Sequence, residues 1–136
     1  MKRFARHFIA LSFLLVGAPA FAVGTVVIDA GHGGHDRGGG PGQRIPEKPY
    51  TLDISQRLSS ALRARGFKTV MTRSNDSFIS LGQRCAIGNS QRNAIFVSIH
   101  LNSARREGAD GIETYYYSGK SASLASALHR AVVRAA

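Results

Sequence analysis

The sequence predicts an open α/β fold with a mostly parallel sheet and flanking helices. Short apolar runs alternate with segments of helical periodicity along residues 23–136, which is the pattern of repeated βα units. The first apolar run, residues 25–30, is continuous up to Asp29, as expected of a strand that is covered on both faces. The 136-residue chain leaves about 114 residues after position 22, which suits one domain with a single modest core.

Four strands are predicted, at residues 25–30, 67–72, 94–100 and 111–117. The second and third follow the apolar pattern of the first. The fourth is rich in residues that favour strands and ends in three consecutive tyrosines. With helices between them, these strands are expected to lie largely parallel in one sheet.

The first predicted helix lies between the first two strands. Its apolar stripe consists of Leu52, Ile54, Leu58, Ala61 and Leu62. Pro49 suits the first helical turn and Gly66 provides a stop. Glu47 should therefore lie just before this helix.

Two further helices complete the prediction. The second covers residues 81–91 and is weakened by Gly88. The third covers residues 121–136, with Ser121 as a candidate cap. Its apolar face is formed by Leu124, Leu128 and Val132.

Residues 1–22 have the pattern of a secretory signal peptide. Basic residues precede an apolar run over residues 8–16, and the small residues around Ala22 suit cleavage after that position. The run is too short to span a bilayer comfortably, so we expect export without a retained membrane span; a retained anchor is the alternative. The resemblance described below favours the periplasm as the destination.

The chain is strongly basic, with 18 Lys and Arg against 8 Asp and Glu. Removing residues 1–22 leaves a formal charge of about +7. The positive residues are scattered without interleaved aromatic residues, so we expect no nucleic-acid binding. They include Arg57, Arg63, Arg65, Arg84, Arg92, Arg105 and Arg106. Two interpretations of this charge remain: the chain binds an anionic cell-wall polymer, or the basic face is simply solvated.

Cys85 is the single cysteine, so the chain forms no internal disulfide. It shares a predicted helical face with Leu81. We therefore expect a buried, inert thiol rather than a nucleophile.

Residues 31–36 form a glycine-rich turn after the first strand. The turn lacks the last glycine of a dinucleotide fingerprint, and no lysine follows as in a P-loop, so nucleotide binding is not expected. Because glycine has no Cβ, these residues let the backbone turn sharply and bring the ring of His32 over the strand ends. His35 and His129 are expected to be surface residues.

His32 and His100 follow the carboxyl ends of two predicted strands, where ligands gather in open α/β sheets. Glu47 offers a third ligand, and two histidines and a glutamate with an open fourth position are a set used by catalytic zinc. Ligand type alone leaves manganese or iron as alternatives. Asp29 lies three residues before His32 and either orients a ligand or caps local backbone amides.

Several segments resemble the zinc-dependent N-acetylmuramoyl-L-alanine amidases of bacterial cell walls. They are residues 27–34, Glu47-Lys48, Thr72-Arg73 with Asp76, Leu81 and Arg84, residues 98–103, and residues 111–118. The resemblance implies an open α/β fold and a Zn²⁺ held by His32, Glu47 and His100. It also implies peptidoglycan as the partner and cleavage of the amide between muramic acid and L-alanine.

The resemblance also implies a general acid/base glutamate on a later strand, beyond Ala136. Without it, the rate is expected to fall by roughly 10²–10⁴. Glu107 is a weak substitute for that glutamate, because a carboxylate in a loop is usually solvated. Glu113 is expected to be structural. Because the resemblance also places further strands and a helix there, we expect the fold to lack its C-terminal part and to leave a sheet edge uncovered. A shortened product, a fragment and a chain completed by a partner protein are the alternatives.

Two functions therefore remain open from the sequence. The first is a zinc amidase acting on peptidoglycan, and the second is a metal-binding, catalytically silent module that binds the cell wall. Both predict metal binding through His32 and His100. Only the first predicts turnover.

Overall fold

A computed structural model describes residues 24–40, 44–101 and 111–136. The elements are β1 (Thr25–Ala30), α1 (Lys48–Arg63), β2 (Lys68–Met71), α2 (Leu81–Asn89), β3 (Ala94–Ile99), a 3₁₀ turn (Gly119–Ser121) and α3 (Ala122–Ala135). The predicted signal peptide lies outside the described residues. Within the described ranges, no helix has the length and apolar character needed to cross a membrane.

The three strands form a parallel sheet in the order β2-β1-β3. All six residues of the central strand β1 are buried, as the continuous apolar run predicted. In the register, Val27 pairs with Val70 on one side and with Phe96 on the other. The predicted α/β class with a parallel sheet is confirmed.

The most deeply buried residues of helix α1 are small and polar, and the predicted apolar stripe is at most half-buried. Thr51, Ser55 and Ser59 are its buried residues, whereas Ile54 is 42% exposed and Ala61 is also exposed. Small side chains allow close approach of helix and sheet, and two of these hydroxyls hydrogen-bond across the contact: Thr51 to the Gly31 carbonyl and Ser59 to Thr69. Leu52, Leu58 and Leu62 of the predicted stripe are half-buried, so the prediction was wrong at Ile54 and Ala61 and missed the most deeply buried residues, because it ranked residues by hydropathy alone.

The predicted boundaries of α1 are confirmed. Pro49 lies in the first turn and Glu47 occupies the N-cap position. At the other end the helix stops at Arg63, and Gly66 follows with a φ of 84°. A positive φ favours glycine, so Gly66 terminates the segment as expected.

Helix α2 lies on the opposite face of the sheet. A Cβ added at Gly88 would lie 2.9 Å from the Phe96 ring, so the helix meets the sheet through Gly88 and Arg84. Cys85 is adjacent to Arg84 in sequence and so points about 100° away from that face. It is exposed, as is Leu81, and the prediction of a buried thiol was wrong.

The C-terminal segment differs most from the prediction. Residues 111–117 have no strand, and Tyr115, Tyr116 and Tyr117 are exposed. Strand propensity acts through pairing, and no ladder includes this segment among the described residues. In α3, Ser121 sits at the N-cap without a side-chain hydrogen bond. The predicted face of Leu124, Leu128 and Val132 is exposed, and Ala125 is the buried residue.

Candidate metal site

The two histidines are brought together by the strand register. Ala30 pairs with Ile99, so His32 and His100 leave the sheet at the same edge. His32 has a φ of 61°, which turns its ring back over the strand ends. Gly31 allows this approach, because a Cβ there would lie 2.5 Å from the His100 ring.

Glu47 reaches the same place from the start of α1. It is 4% exposed, and its Oε2 accepts a hydrogen bond of 2.9 Å from the Leu101 amide. Gly38 lies against both His32 and Glu47: a Cβ there would meet the His32 ring at 2.6 Å and the Glu47 side chain at 2.7 Å. The glycine-rich loop therefore permits the close packing of Glu47 against His32.

The three side chains converge on one point. Nε2 of His32 lies 3.3 Å from Oε2 of Glu47 and 3.1 Å from Nδ1 of His100. One ligand atom from each residue lies within 4.8 Å of the other two. Two atoms that bind zinc tetrahedrally lie about 3.3–3.4 Å apart, given metal–ligand distances of roughly 2.0–2.1 Å. The separations therefore suit a small divalent cation.

Comparison with known proteins identifies the family of this chain. The family model described as N-acetylmuramoyl-L-alanine amidase matches residues 26–136, which is most of the chain. This chain belongs to the N-acetylmuramoyl-L-alanine amidase family. The match includes all three converging residues and every helix and strand after the start of β1.

Individual relatives of this amidase-family chain are longer than it is. The probable cell wall amidase LytH of Staphylococcus epidermidis is 36% identical over 115 residues, covering 82% of this chain and 38% of the relative. N-acetylmuramoyl-L-alanine amidase LytC of Bacillus subtilis is 41% identical over 92 residues, covering 68% and 18%. The chain thus spans less than half the length of these two relatives.

Solved structures of amidases share the fold. The amidase AmiC2 of Nostoc punctiforme matches with a TM-score of 0.74 and 36% identity, covering 83% of this chain and 62% of that one. The catalytic domain of CwlV from Paenibacillus polymyxa matches with a TM-score of 0.73 and 36% identity, covering 79% and 62%. The parallel sheet described above is therefore that of amidase catalytic domains.

Asp36 contacts His32 in this amidase-family site, and sequence reasoning missed it. Its Oδ2 lies 3.0 Å from Nδ1 of His32, and its Oδ1 accepts from the Gly38 amide at 3.1 Å. Desolvation opposes ionisation, but the hydrogen bonds from His32 and Gly38 hold the pKa of Asp36 below its usual 3.8. The sequence signal, a carboxylate four residues after a histidine in a glycine-rich loop, is weak.

Asp29 is buried beneath the site. Its Oδ1 accepts hydrogen bonds from Thr72 and Arg84, and its Oδ2 accepts one from Ser98. Burial raises its pKa, but these hydrogen bonds outweigh burial and lower the pKa below 3.8. These partners are side chains rather than backbone amides. That Asp29 orients a ligand stays a prediction; its partner Ser98 lies two residues before His100, and its partner Arg84 also donates to the His32 carbonyl.

Two buried arginines donate hydrogen bonds to the backbone carbonyls at the end of β1. Arg84 donates to the carbonyls of Ala30 and His32, and Arg73 donates to those of Ala30 and Gly31. Both guanidinium groups thus satisfy backbone carbonyls that the sheet leaves unpaired. Arg84, predicted as one of the scattered basic residues, is instead buried, because its partners come from β1 and the loop that follows.

A salt bridge ties the glycine-rich loop to the body of the domain. Lys48 Nζ lies 2.6 Å from Oδ2 of Asp76 and donates to the Gly34 carbonyl. Asp76 in turn accepts from the Gly34 amide at 2.8 Å. The peptide groups of Gly34 are therefore held from both sides.

The electrostatics of His100 suit a neutral ligand. Burial, and then the nearby His32, lower its pKa below the usual 6.5, although Asp29 and Glu47 act in the opposite direction. A neutral imidazole is the form that binds a metal.

The remaining sequence candidates do not join this cluster. His35 is exposed and stacks on Phe78 with ring centroids 4.1 Å apart, and His129 contacts Thr114. Glu113 is exposed and accepts a hydrogen bond from Tyr115. Glu107 lies outside the described residues.

Proposed function

We propose that this chain is a zinc-dependent hydrolase that cleaves the amide between N-acetylmuramic acid and the L-alanine of peptidoglycan. The observation that carries the proposal is the convergence of His32, Glu47 and His100 at one edge of the sheet. Membership of the amidase family supports the substrate class and the bond.

The donor set fits a divalent cation. With the His32 proton on Nδ1, facing Asp36, Nε2 carries a lone pair and lies only 3.3 Å from Oε2 of Glu47. Two acceptors this close repel each other unless a cation lies between them. The Leu101 amide holds the same carboxylate oxygen, so Glu47 is fixed in this position.

When bound, zinc supplies Lewis-acid polarisation of the scissile carbonyl and activation of a water molecule. The residues of the chain hold the site in shape. His32 and His100 contribute neutral imidazoles, and Glu47 offsets part of the cation's charge. Arg84 and Arg73 fix the strand-end carbonyls on either side of His32, so little reorganisation is needed on metal binding.

Proton transfer to the leaving amine requires an additional group, because the three converging residues are assigned to the metal. Turnover is therefore the measurement that tests the proposal most directly.

The experiment has two stages and one matched control. The purified chain is loaded with zinc and incubated with muropeptides, and free stem peptide is measured by mass spectrometry. We expect zinc binding and peptide release, both lost in His100→Ala and both retained in His129→Ala, which removes a histidine outside the cluster. Zinc binding without release would identify the chain as a silent wall-binding module instead. Absence of zinc binding would overturn both functions.

We also propose that residues 1–22 direct export to the periplasm. The support is the basic, apolar and small-residue pattern of that segment, together with a family whose named members act on cell walls. A fusion of residues 1–30 to alkaline phosphatase should be active in a Gram-negative host. A fusion in which Leu14 and Leu15 are replaced by arginine should be inactive, and equal activity of the two would contradict the proposal.

A further inference from the structure

We propose that Asp36 is a positioning residue that fixes which nitrogen of His32 is free to bind the metal. The inference rests on the proposed metal-dependent function and extends it to a residue outside the ligand set. It concerns the tautomer of one imidazole, which is determined by the hydrogen bond made by the other ring nitrogen.

Both oxygens of Asp36 are engaged. Oδ2 lies 3.0 Å from Nδ1 of His32, and Oδ1 accepts from the Gly38 amide at 3.1 Å. The backbone of the loop therefore orients the carboxylate, and the carboxylate orients the ring. An ionised carboxylate only accepts hydrogen bonds, so this contact favours the tautomer that carries its proton on Nδ1.

Two carboxylates compete for the single proton of a neutral His32. Asp36 lies 3.0 Å from Nδ1, whereas Glu47 lies 3.3 Å from Nε2 and already accepts from the Leu101 amide. If the proton moved to Nε2, Nδ1 and Asp36 would face each other as two acceptors and the metal-binding nitrogen would be blocked. Asp36 therefore disfavours the tautomer that cannot bind a cation at this place.

Close packing keeps the ring in this orientation. A Cβ at Gly38 would lie 2.6 Å from Cδ2 of His32, so the loop backbone lies directly against the ring. On the other side, Nδ1 of His100 lies 3.1 Å from Nε2 of His32. With the proton of His32 on Nδ1, its Nε2 can accept a hydrogen bond from His100 in the metal-free protein. Asp36, His32 and His100 are then joined in one series of hydrogen bonds.

The first test measures zinc affinity by chelator competition in Asp36→Ala and Asp36→Asn. Loss of a hydrogen-bond partner of this kind typically weakens metal binding by about 10–100-fold. We expect a loss of that size in Asp36→Ala and a smaller loss in Asp36→Asn, whose amide oxygen can still accept from Nδ1. The matched control is Asp76→Ala, which releases Gly34 of the same loop without touching the imidazole. It should lower the affinity by less than this range of about 10–100-fold.

The second test uses the metal-free protein and so does not depend on the proposed activity. Nitrogen-15 chemical shifts of the His32 ring, recorded at neutral pH, distinguish the two tautomers. We expect the Nδ1–H form in the unaltered chain and in Asp76→Ala, and a shift toward the Nε2–H form in Asp36→Ala.

The outcomes separate the two proposals. If an Asp36 variant keeps the circular dichroism spectrum of the unaltered chain and also its zinc affinity, the positioning role is overturned. An equal loss in Asp36→Ala and Asp76→Ala, or an unchanged tautomer, would also overturn it. If the unaltered chain binds no zinc, the proposed function fails, while the nitrogen-15 spectra still decide the role of Asp36.

Discussion

Arg84 in α2 and Asp29 in β1 form a buried ion pair, with Nη1 and Oδ1 2.6 Å apart and side chains only 8% and 6% exposed. Arg84 also donates to the Ala30 and His32 carbonyls, so it joins α2 to the end of β1 and to the loop that follows. Removal of one partner leaves the charge of the other unpaired in a site that water cannot enter freely.

We expect Arg84→Ala to lower the free energy of unfolding by about 3–5 kcal/mol, because Asp29 loses its charge partner while staying buried. Urea denaturation followed by circular dichroism measures the change. Arg57→Ala is the control, since Arg57 pairs with Asp53 on the exposed surface of α1. That change should cost about 0–1 kcal/mol. Equal losses in the two variants would show that the burial of the Arg84 pair has no energetic consequence.

The ionisation of Asp29 should make stability depend on pH. Its pKa is lowered in the folded protein by Ser98, Thr72 and Arg84 despite burial, so it stabilises the fold fully above its unfolded pKa of about 3.9. That contribution is lost as the pH falls from there through the lower folded pKa. Unfolding of the unaltered chain and of Asp29→Asn should therefore differ most at pH 6 and converge below pH 4. A difference that grows on acidification would contradict the assignment.

Gly31 should tolerate no side chain. A Cβ there would lie 2.5–2.7 Å from three atoms of the His100 ring, so Gly31→Ala must displace a proposed ligand. We expect zinc affinity to fall by at least about 10-fold, in the range found when the support of a metal ligand is lost.

Isothermal titration calorimetry measures this loss, with Gly82→Ala as the control. Gly82 lies in α2, and nothing is within 4 Å of an added Cβ. Gly82→Ala should leave zinc affinity unchanged and raise the free energy of unfolding by roughly 0.5–1 kcal/mol, because alanine favours the helix. Unchanged zinc binding in Gly31→Ala would show that His100 does not need its present position.

The sequence could predict the three converging residues because each prediction needed only local information. His32 and His100 directly follow runs that form strands, and Glu47 precedes a helix whose start is marked by Pro49. Parallel strands then bring their carboxyl ends to one edge without any knowledge of side-chain packing.

The supporting residues could not be predicted in the same way. Asp29 and Arg84 are 55 residues apart, and nothing in either segment indicates that they pair. The buried face of α1 was also missed, because hydropathy favours leucine while the contact with the sheet requires the small volume of Thr51 and Ser55. Such choices depend on the distance between helix and sheet, which is a tertiary property.

Ser55 provides the last prediction, because it lies on this face without a hydrogen-bond partner. Its side chain is fully buried between α1 and the sheet, and no group in the described part of the chain bonds its Oγ. A buried hydroxyl without a partner costs about 1–3 kcal/mol, and alanine is also the better helix former. We expect Ser55→Ala to raise the free energy of unfolding by about 1 kcal/mol.

Ser59→Ala is the matched control for Ser55→Ala, one helical turn further along the same face. The Ser59 hydroxyl lies 2.8 Å from that of Thr69, so its removal takes away this hydrogen bond, while Thr69 keeps the one that it accepts from Nε of Arg63. We expect the free energy of unfolding to fall by about 0.5–1.5 kcal/mol, the usual net value of one such bond. Opposite signs in urea denaturation would show that the small polar face of α1 is selected for volume at Ser55 and for hydrogen bonding at Ser59. Destabilisation by both variants would mean that Ser55 has a partner in solution, such as a water molecule held between the helix and the sheet.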